Sequence, residues 1–275
     1  MIKKFYICLI FFFMLNRVGY EEENTLSVED FRLIGERIFE NECSGKFEAL
    51  TSWNEGENFA SLGIGHFIWY PEGKRGPFKE SFRELIIFLK EKGAALPVWL
   101  ESSSSRACPW RTRQDFFDNL EQPEMVELRV FLKNNIYLQT LFIVERQKRA
   151  LDKMLAVVEK ENRVHVKKQF DRLAVKIMGM YALIDYVNFK GEGIAKTERY
   201  KGEGWGLLQV LLQMEEGRSK KDAVKEFVRS AETVLRRRVR NAPLERKEER
   251  WLPGWCNRIK TYLDKNLYLK KGVSS

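Results

Sequence analysis

The stretch from Glu42 to Tyr70 reads ECSGKFEALTSWNEGENFASLGIGHFIWY. It opens on a carboxylate, Glu42, passes through a polar turn bearing Glu55 and Glu57, and closes in an apolar strand, Ser61 to His66. Upstream, Ser27-Val28-Glu29-Asp30 has the form of a capping box, with Ser27 as N-cap and Asp30 replying from the first turn. Phe31, Ile34 and Ile38 then fall on one helical face, and Glu42 continues that face to a stop at Ser44-Gly45. The helix dipole disfavours a carboxylate at this end, so Glu42 needs a reason of its own, either an ion pair or a chemical task. Lys46 to Ile68 predicts a small β-hairpin or three-stranded sheet, with Gly63 and Gly65 permitting a tight bend around Ile64.

Outward from this stretch the chain turns helical. Helical periodicity runs over Ser81–Lys92, Arg113–Leu120, Met125–Lys133, Ile136–Lys160, Val164–Tyr181, an apolar segment from Ala182 to Asn188, Trp205–Met214, Lys220–Arg240, and a last helix after Pro253-Gly254 to about Lys265. Lys190 to Gly204 reads as a polar loop, and no strand is expected outside the N-terminal hairpin. The fold class is therefore mainly α with a small N-terminal β-hairpin or sheet, an α+β arrangement. At 275 residues and 44% hydrophobic, the chain can bury a large core.

The first twenty residues are of a different kind. Lys3 and Lys4 precede an apolar run, Phe5 to Leu15, of signal-peptide length and short for a bilayer span. We read residues 1–20 as a signal peptide or an uncleaved N-terminal anchor, and residues 25–275 as a single domain. The predicted location is exported, periplasmic or extracellular, which argues against nucleic acid as the partner of a chain of net charge +9. Beyond that segment stand Cys43, Cys108 and Cys256, with no C-x-x-C pair. Either one disulfide, with Cys43–Cys108 preferred, or free buried thiols fits this pattern. With His66 and His165 the only histidines, no metal site and no cofactor are expected.

A helix ending in Glu, an acidic hairpin and then S-L-G-I-G-H together resemble the phage-type lysozymes (endolysins) of the lysozyme-like superfamily. Ser61 takes the position of the family's Thr, and Glu55 lies six residues before it. The stretch from Glu42 to Glu55 is longer than in the family, which leaves Glu57 as the alternative to Glu55. Ala182 to Phe189, Leu207-Leu208 to Phe227, and Leu252-Pro253-Gly254-Trp255-Cys256-Asn257-Arg258 resemble later family segments in the same order. Roughly residues 75–180 have no counterpart and read as a helical insertion. Gly206-Leu207-Leu208-Gln209-Val210 is also similar to a motif of lytic transglycosylases, though far from Glu42.

The resemblance implies a muramidase-type glycoside hydrolase acting on peptidoglycan or a related amino-sugar polymer. Alternatives are a lytic transglycosylase or chitosanase-like enzyme on the same fold, or a non-catalytic wall-binding protein. Glu42 is the candidate general acid, because a carboxyl on an apolar helix face beside a cleft loses hydration of its charged form. Glu57 or Glu55 would stabilise the oxocarbenium-like transition state or activate water, and Ser61 would hold that water. His66, Tyr70, Asn188, Trp205 and Gln209 are the candidate substrate-binding residues, with Trp53, Trp69 and Trp110 as further aromatic faces for sugar rings. His66 reads more readily as a satisfied structural histidine than as a catalytic base. The chain is expected to act as a monomer, with a membrane tether if its N-terminus is not cut.

Overall fold

A computed structural model describes residues 26–76, 78–103, 107–215 and 223–264. The segment read as signal or anchor, with Cys8, lies outside them, as do Lys220 and Lys265.

Helix α1 (Val28–Cys43) starts on the capping box expected of it. The Asp30 N–H donates to Ser27 Oγ at 3.2 Å, and the Ser27 N–H donates to Asp30 Oδ2 at 2.7 Å. It ends with both Ser44 and Gly45 in the left-handed region, so Glu42 sits in its last turn. A single 3₁₀ turn (Glu48–Leu50) leads into an antiparallel sheet of β1 (Thr51–Ser52), β2 (Ala60–Leu62) and β3 (Phe67–Trp69), in that spatial order. The register pairs Ser52 with Ser61 and Ser61 with Ile68. Ser61 to His66 is thus not one strand. Its first two residues belong to β2, and Gly63 to His66 form the turn into β3, with the His66 N–H donating to the Gly63 carbonyl at 3.3 Å.

Helices follow: α2 (Phe82–Glu91), α3 (Val98–Ser103), α4 (Arg113–Asp118), α5 (Pro123–Asn134), α6 (Ile136–Val157), α7 (Lys160–Ala174), α8 (Ile177–Lys190), α9 (Leu207–Gln213), α10 (Ala223–Asn241) and α11 (Leu252–Lys260). The expected helix over Val164–Tyr181 is broken at Val175–Lys176, where Lys176 is extended. Gly179 makes this possible: any side chain there would strike the Leu173 backbone, so a glycine lets α8 begin against the end of α7. The polar loop before α9 also holds a second hairpin, β4 (Arg199–Tyr200) with β5 (Glu203–Gly204). Lys201 and Gly202 between them both have positive φ, the geometry of a tight two-residue hairpin turn.

Helix α6 is the spine. It packs on α1, on α2 and on α8. Gly35 of α1 admits the close approach, since a Cβ there would meet Thr140 and Ile136 of α6. One continuous apolar core runs from Ile34 to Tyr262. Among the described residues no helix is long and apolar enough to cross a membrane.

Candidate functional site

Three distant pieces of chain meet at the end of α1. Arg258 of α11 donates from Nη2 to Glu42 Oε1 at 3.0 Å. The same guanidinium grips Asp185 of α8, Nε to Oδ2 at 3.0 Å and Nη2 to Oδ1 at 2.8 Å. Tyr262 donates its hydroxyl to Asp185 Oδ2 at 2.6 Å, which completes the partners of a carboxylate that is 3% exposed. Burial works against the charge on Arg258, but the hydrogen bonds and charge of Asp185, with Glu42 behind them, hold its pKa above the ordinary value. Burial, then the neighbouring Asp185, pushes the Tyr262 hydroxyl up as well. Phe189 stacks under the guanidinium at 4.8 Å.

His66 enters from the opposite side. Its Nε2 stands 3.3 Å from the Glu42 carbonyl oxygen and 3.8 Å from Glu42 Oε2. The turn that carries it is locked from α6. The buried Gln139 accepts the Ile64 N–H at 3.0 Å and donates to the Leu132 carbonyl at 2.6 Å. Gly63 has φ +70, and a Cβ there would run into Gln139 Oε1; a Cβ on Gly65 would sit 2.6 Å from the Phe67 ring. The two glycines are thus required by geometry, as their spacing suggested.

The Glu42 found here differs from the one expected. Its carboxylate is half-buried but ion-paired, not set alone in an apolar pocket. The pairing is incomplete, however. Asp185 already matches the charge of Arg258, so two carboxylates share one cation and Glu42 is positioned by the guanidinium without having a counter-ion to itself. This also answers the helix dipole: the cation at the C-terminal end of α1 is supplied by α11.

Beside this cluster opens a cleft of about 210 Å³. Its wall from α6 includes Ile143, Gln147 and Ala150, a stripe at helical spacing, and Gly65, Ser81, Val187 and Asn188 line it from other elements, among charged residues. Gly65 precedes His66, and Asn188 lies three residues after Asp185 on α8, so the cleft and the Glu42 cluster adjoin.

The remaining candidates divide. Asn188 lines the cleft, as expected of a substrate-binding residue. Glu57 is at the β1–β2 turn, where Asn54 Nδ2 donates to its Oε2 at 3.0 Å and its carbonyl accepts the Trp53 indole N–H at 2.8 Å. Glu55 is exposed in the same turn. Ser61 is buried within β2, contrary to its expected role of presenting water in an open site. Tyr70 is buried too, with its hydroxyl donating to the Phe78 carbonyl at 3.2 Å and its ring edge-on to Phe59. Trp205 lies beneath Arg238, 4.0 Å from ring centroid to guanidinium, and against Tyr200. Gln209 ties a loop to α9: its Nε2 donates to the Gly193 carbonyl at 3.0 Å and its Oε1 accepts the Gly206 N–H at 3.0 Å. Trp53, Trp69 and Trp110 join Phe116 and Phe82 in a buried aromatic cluster, edge-to-face except for the tilted Trp69–Phe82 pair. These aromatics are core, because a ring already covered on both faces has none left for a sugar.

Sequence reasoning missed Asp185, Arg258 and Tyr262. A signal existed for the first: Asp185 is the one charge in Ala182–Val187, and a carboxylate in an apolar helix must find a partner. Nothing local named that partner. Among the described residues no cluster of three or more metal-ligating side chains occurs. No family model, curated protein or solved structure matches the chain.

Proposed function

We propose that this chain is a glycoside hydrolase of lysozyme type that cleaves the glycan strands of peptidoglycan. The observation that carries the reading is Glu42 at the end of its helix, near the turn whose Gly65 lines the cleft, positioned by an arginine whose charge is already matched by a buried aspartate. A general acid must give up its proton to a glycosidic oxygen and be held at a fixed angle while it does so. The Arg258 contact supplies the angle, and Arg258 is shared between Glu42 and Asp185. In this reading Glu57, steadied by Asn54, is the second carboxylate, stabilising positive charge on the sugar ring or activating water. Asn188 offers hydrogen bonds from the cleft wall. The protein acts outside the cytoplasm as a monomer, with residues 1–20 as export signal or tether and residues 75–180 as a helical insertion on a lysozyme-like framework.

The test is release of soluble muropeptides from purified cell wall. Glu42→Gln is isosteric and keeps an acceptor for Arg258, so it should fold normally while activity falls by a factor on the order of 10²–10⁴. Undiminished release removes Glu42 from the role. A second reading is favoured by the occupation of Glu57 within its turn: a lytic transglycosylase, in which Glu42 alone serves as acid and then as base. Mass spectrometry of the products separates the two, because hydrolysis adds water and the transglycosylase forms an anhydro-sugar.

A further inference from the structure

The cleft carries more positive charge than the Glu42 chemistry uses. Lys79, Arg146, Arg149 and Lys153 line it, against Glu84 and Glu192. The two carboxylates are both engaged by lysines: Lys79 Nζ stands 2.5 Å from Glu84 Oε1, and Lys153 Nζ stands 2.9 Å from Glu192 Oε1 and 3.2 Å from its Oε2. Among the described residues neither Arg146 nor Arg149 makes a close ion pair, and Glu84 and Glu192 act on Arg146 only at longer range. They lie three apart on α6, so their guanidiniums project from neighbouring positions on one face. Both arginines are exposed, so their guanidinium forks are open to pair with an incoming carboxylate.

A second observation points to the same place. Gln147 lies between the two arginines in sequence, is 4% exposed and lines the cleft. Its Oε1 is buried and has no hydrogen-bond partner. An acceptor left unmade in a native interior costs stability, and a ligand that donates to it recovers that cost.

We infer that this cleft is the subsite for an acylated amino sugar carrying a free carboxylate, which seats on Arg146 and Arg149 while the acylamino N–H donates to Gln147 Oε1. The inference rests on the glycan-cleaving reading and deepens it. It makes the anionic substituent of the glycan a determinant of recognition, supplied from α6, the helix that also braces the turn carrying His66. The carboxylate has two sources in such a polymer: the lactyl group on the sugar, or the peptide attached to it.

Heteronuclear NMR titration of the full chain separates them, with the side-chain Nε–H signals of Arg146 and Arg149 as reporters. The probes are N-acetylmuramic acid, which bears a free lactyl carboxylate; N-acetylmuramyl dipeptide, whose carboxylate is on the peptide; and neutral N-acetylglucosamine. At least one charged probe should bind roughly tenfold more tightly than the neutral sugar, as charge-assisted contacts do, and should shift both arginine signals. The tighter of the two charged probes names the source. The combined variant Arg146→Gln with Arg149→Gln should bring all three affinities together, and Gln147→Leu should weaken all three alike, since each bears an acetamido group. Should the combined variant not fold, Arg149→Gln alone, at an exposed position, should still reduce the preference. Equal affinity for charged and neutral sugars in the wild type overturns the inference, as does a preference that survives the arginine changes. The titration reads binding and not cleavage. Failure to release muropeptides would therefore sink the hydrolase assignment without touching this result, and an active enzyme blind to the carboxylate would do the reverse.

Discussion

At the scale of the residue, Lys190 shows how packing sets chemistry. Its ammonium stands 3.3 Å from the centroid of the Trp255 ring and 4.0 Å from that of Phe189. Burial first, then the positive charge of Arg238, pulls its pKa from 10.5 down to about 7, with Glu248 opposing and Arg258 adding to the fall. The sign of the linkage follows. Between the folded and unfolded values the unfolded chain binds a proton that the native chain does not, so this group makes stability rise with pH across that window. Below the folded value, Lys190 is charged in both states and the full cost of burying it remains. Replacing Lys190 with Met should flatten the rise, read as urea midpoints measured from neutral pH to the ordinary lysine range. A slope that persists in the variant would place its origin elsewhere. The Glu42 cluster follows the same physics with the opposite outcome. Arg258 stays charged because Asp185, itself held by the Tyr262 hydroxyl, pairs with it, and the half-buried Glu42 takes the remaining contact.

At the scale of the element, the Gly63–His66 turn is the most exposed to test. Gly63→Ala faces two costs at once, a positive φ and a collision with Gln139, whereas Gly56→Ala has positive φ and open space around it. The first should lower stability by about 1–3 kcal/mol more than the second in chemical denaturation; equal effects would mean that the α6 clamp contributes nothing. This contrast also marks what sequence could reveal. The α1 start was readable because Ser27 and Asp30 are three apart and reciprocal, and the sheet was readable because glycine, polar turn and apolar run alternate over a short span. The hairpin at Lys201-Gly202 was not, since lysine is no signal for a left-handed residue. The α7–α8 break was not either, because its cause is tertiary: Gly179 of one helix against Leu173 of the other. In the site, Glu42 was legible from its place at a helix end, and the glycines after it from their spacing. Nothing in the sequence marks Arg258 and Asp185 as partners, for no local pattern links positions so far apart. The cationic face of α6 was the nearest miss, as Arg146, Arg149 and Lys153 recur at helical spacing in plain view.

At the scale of the whole molecule, one core serves every helix, and Cys43 and Cys108 are within it. Cys43, Cys108 and Cys256 are all free and buried, so the Cys43–Cys108 bridge preferred from the sequence does not form; Cys108 instead donates its N–H to the Tyr70 carbonyl at 2.9 Å. Burial pushes the Cys43 thiol up to about 11, with the nearby Glu42 adding to it, and the Cys108 thiol up to about 12. At mildly alkaline pH these thiols should react with iodoacetamide slowly in the native protein and rapidly once it is unfolded, with peptide mapping as the readout. Fast native labelling at Cys108 would contradict its burial. The Glu42–Arg258 contact has a consequence of another kind. It joins positions 216 residues apart, so this geometry cannot form on a ribosome-bound chain until α11 has emerged. The Glu42–Arg258 anchor is thus absent through nearly all of the chain's synthesis, and proteolytic clipping ahead of Leu252 would remove it again.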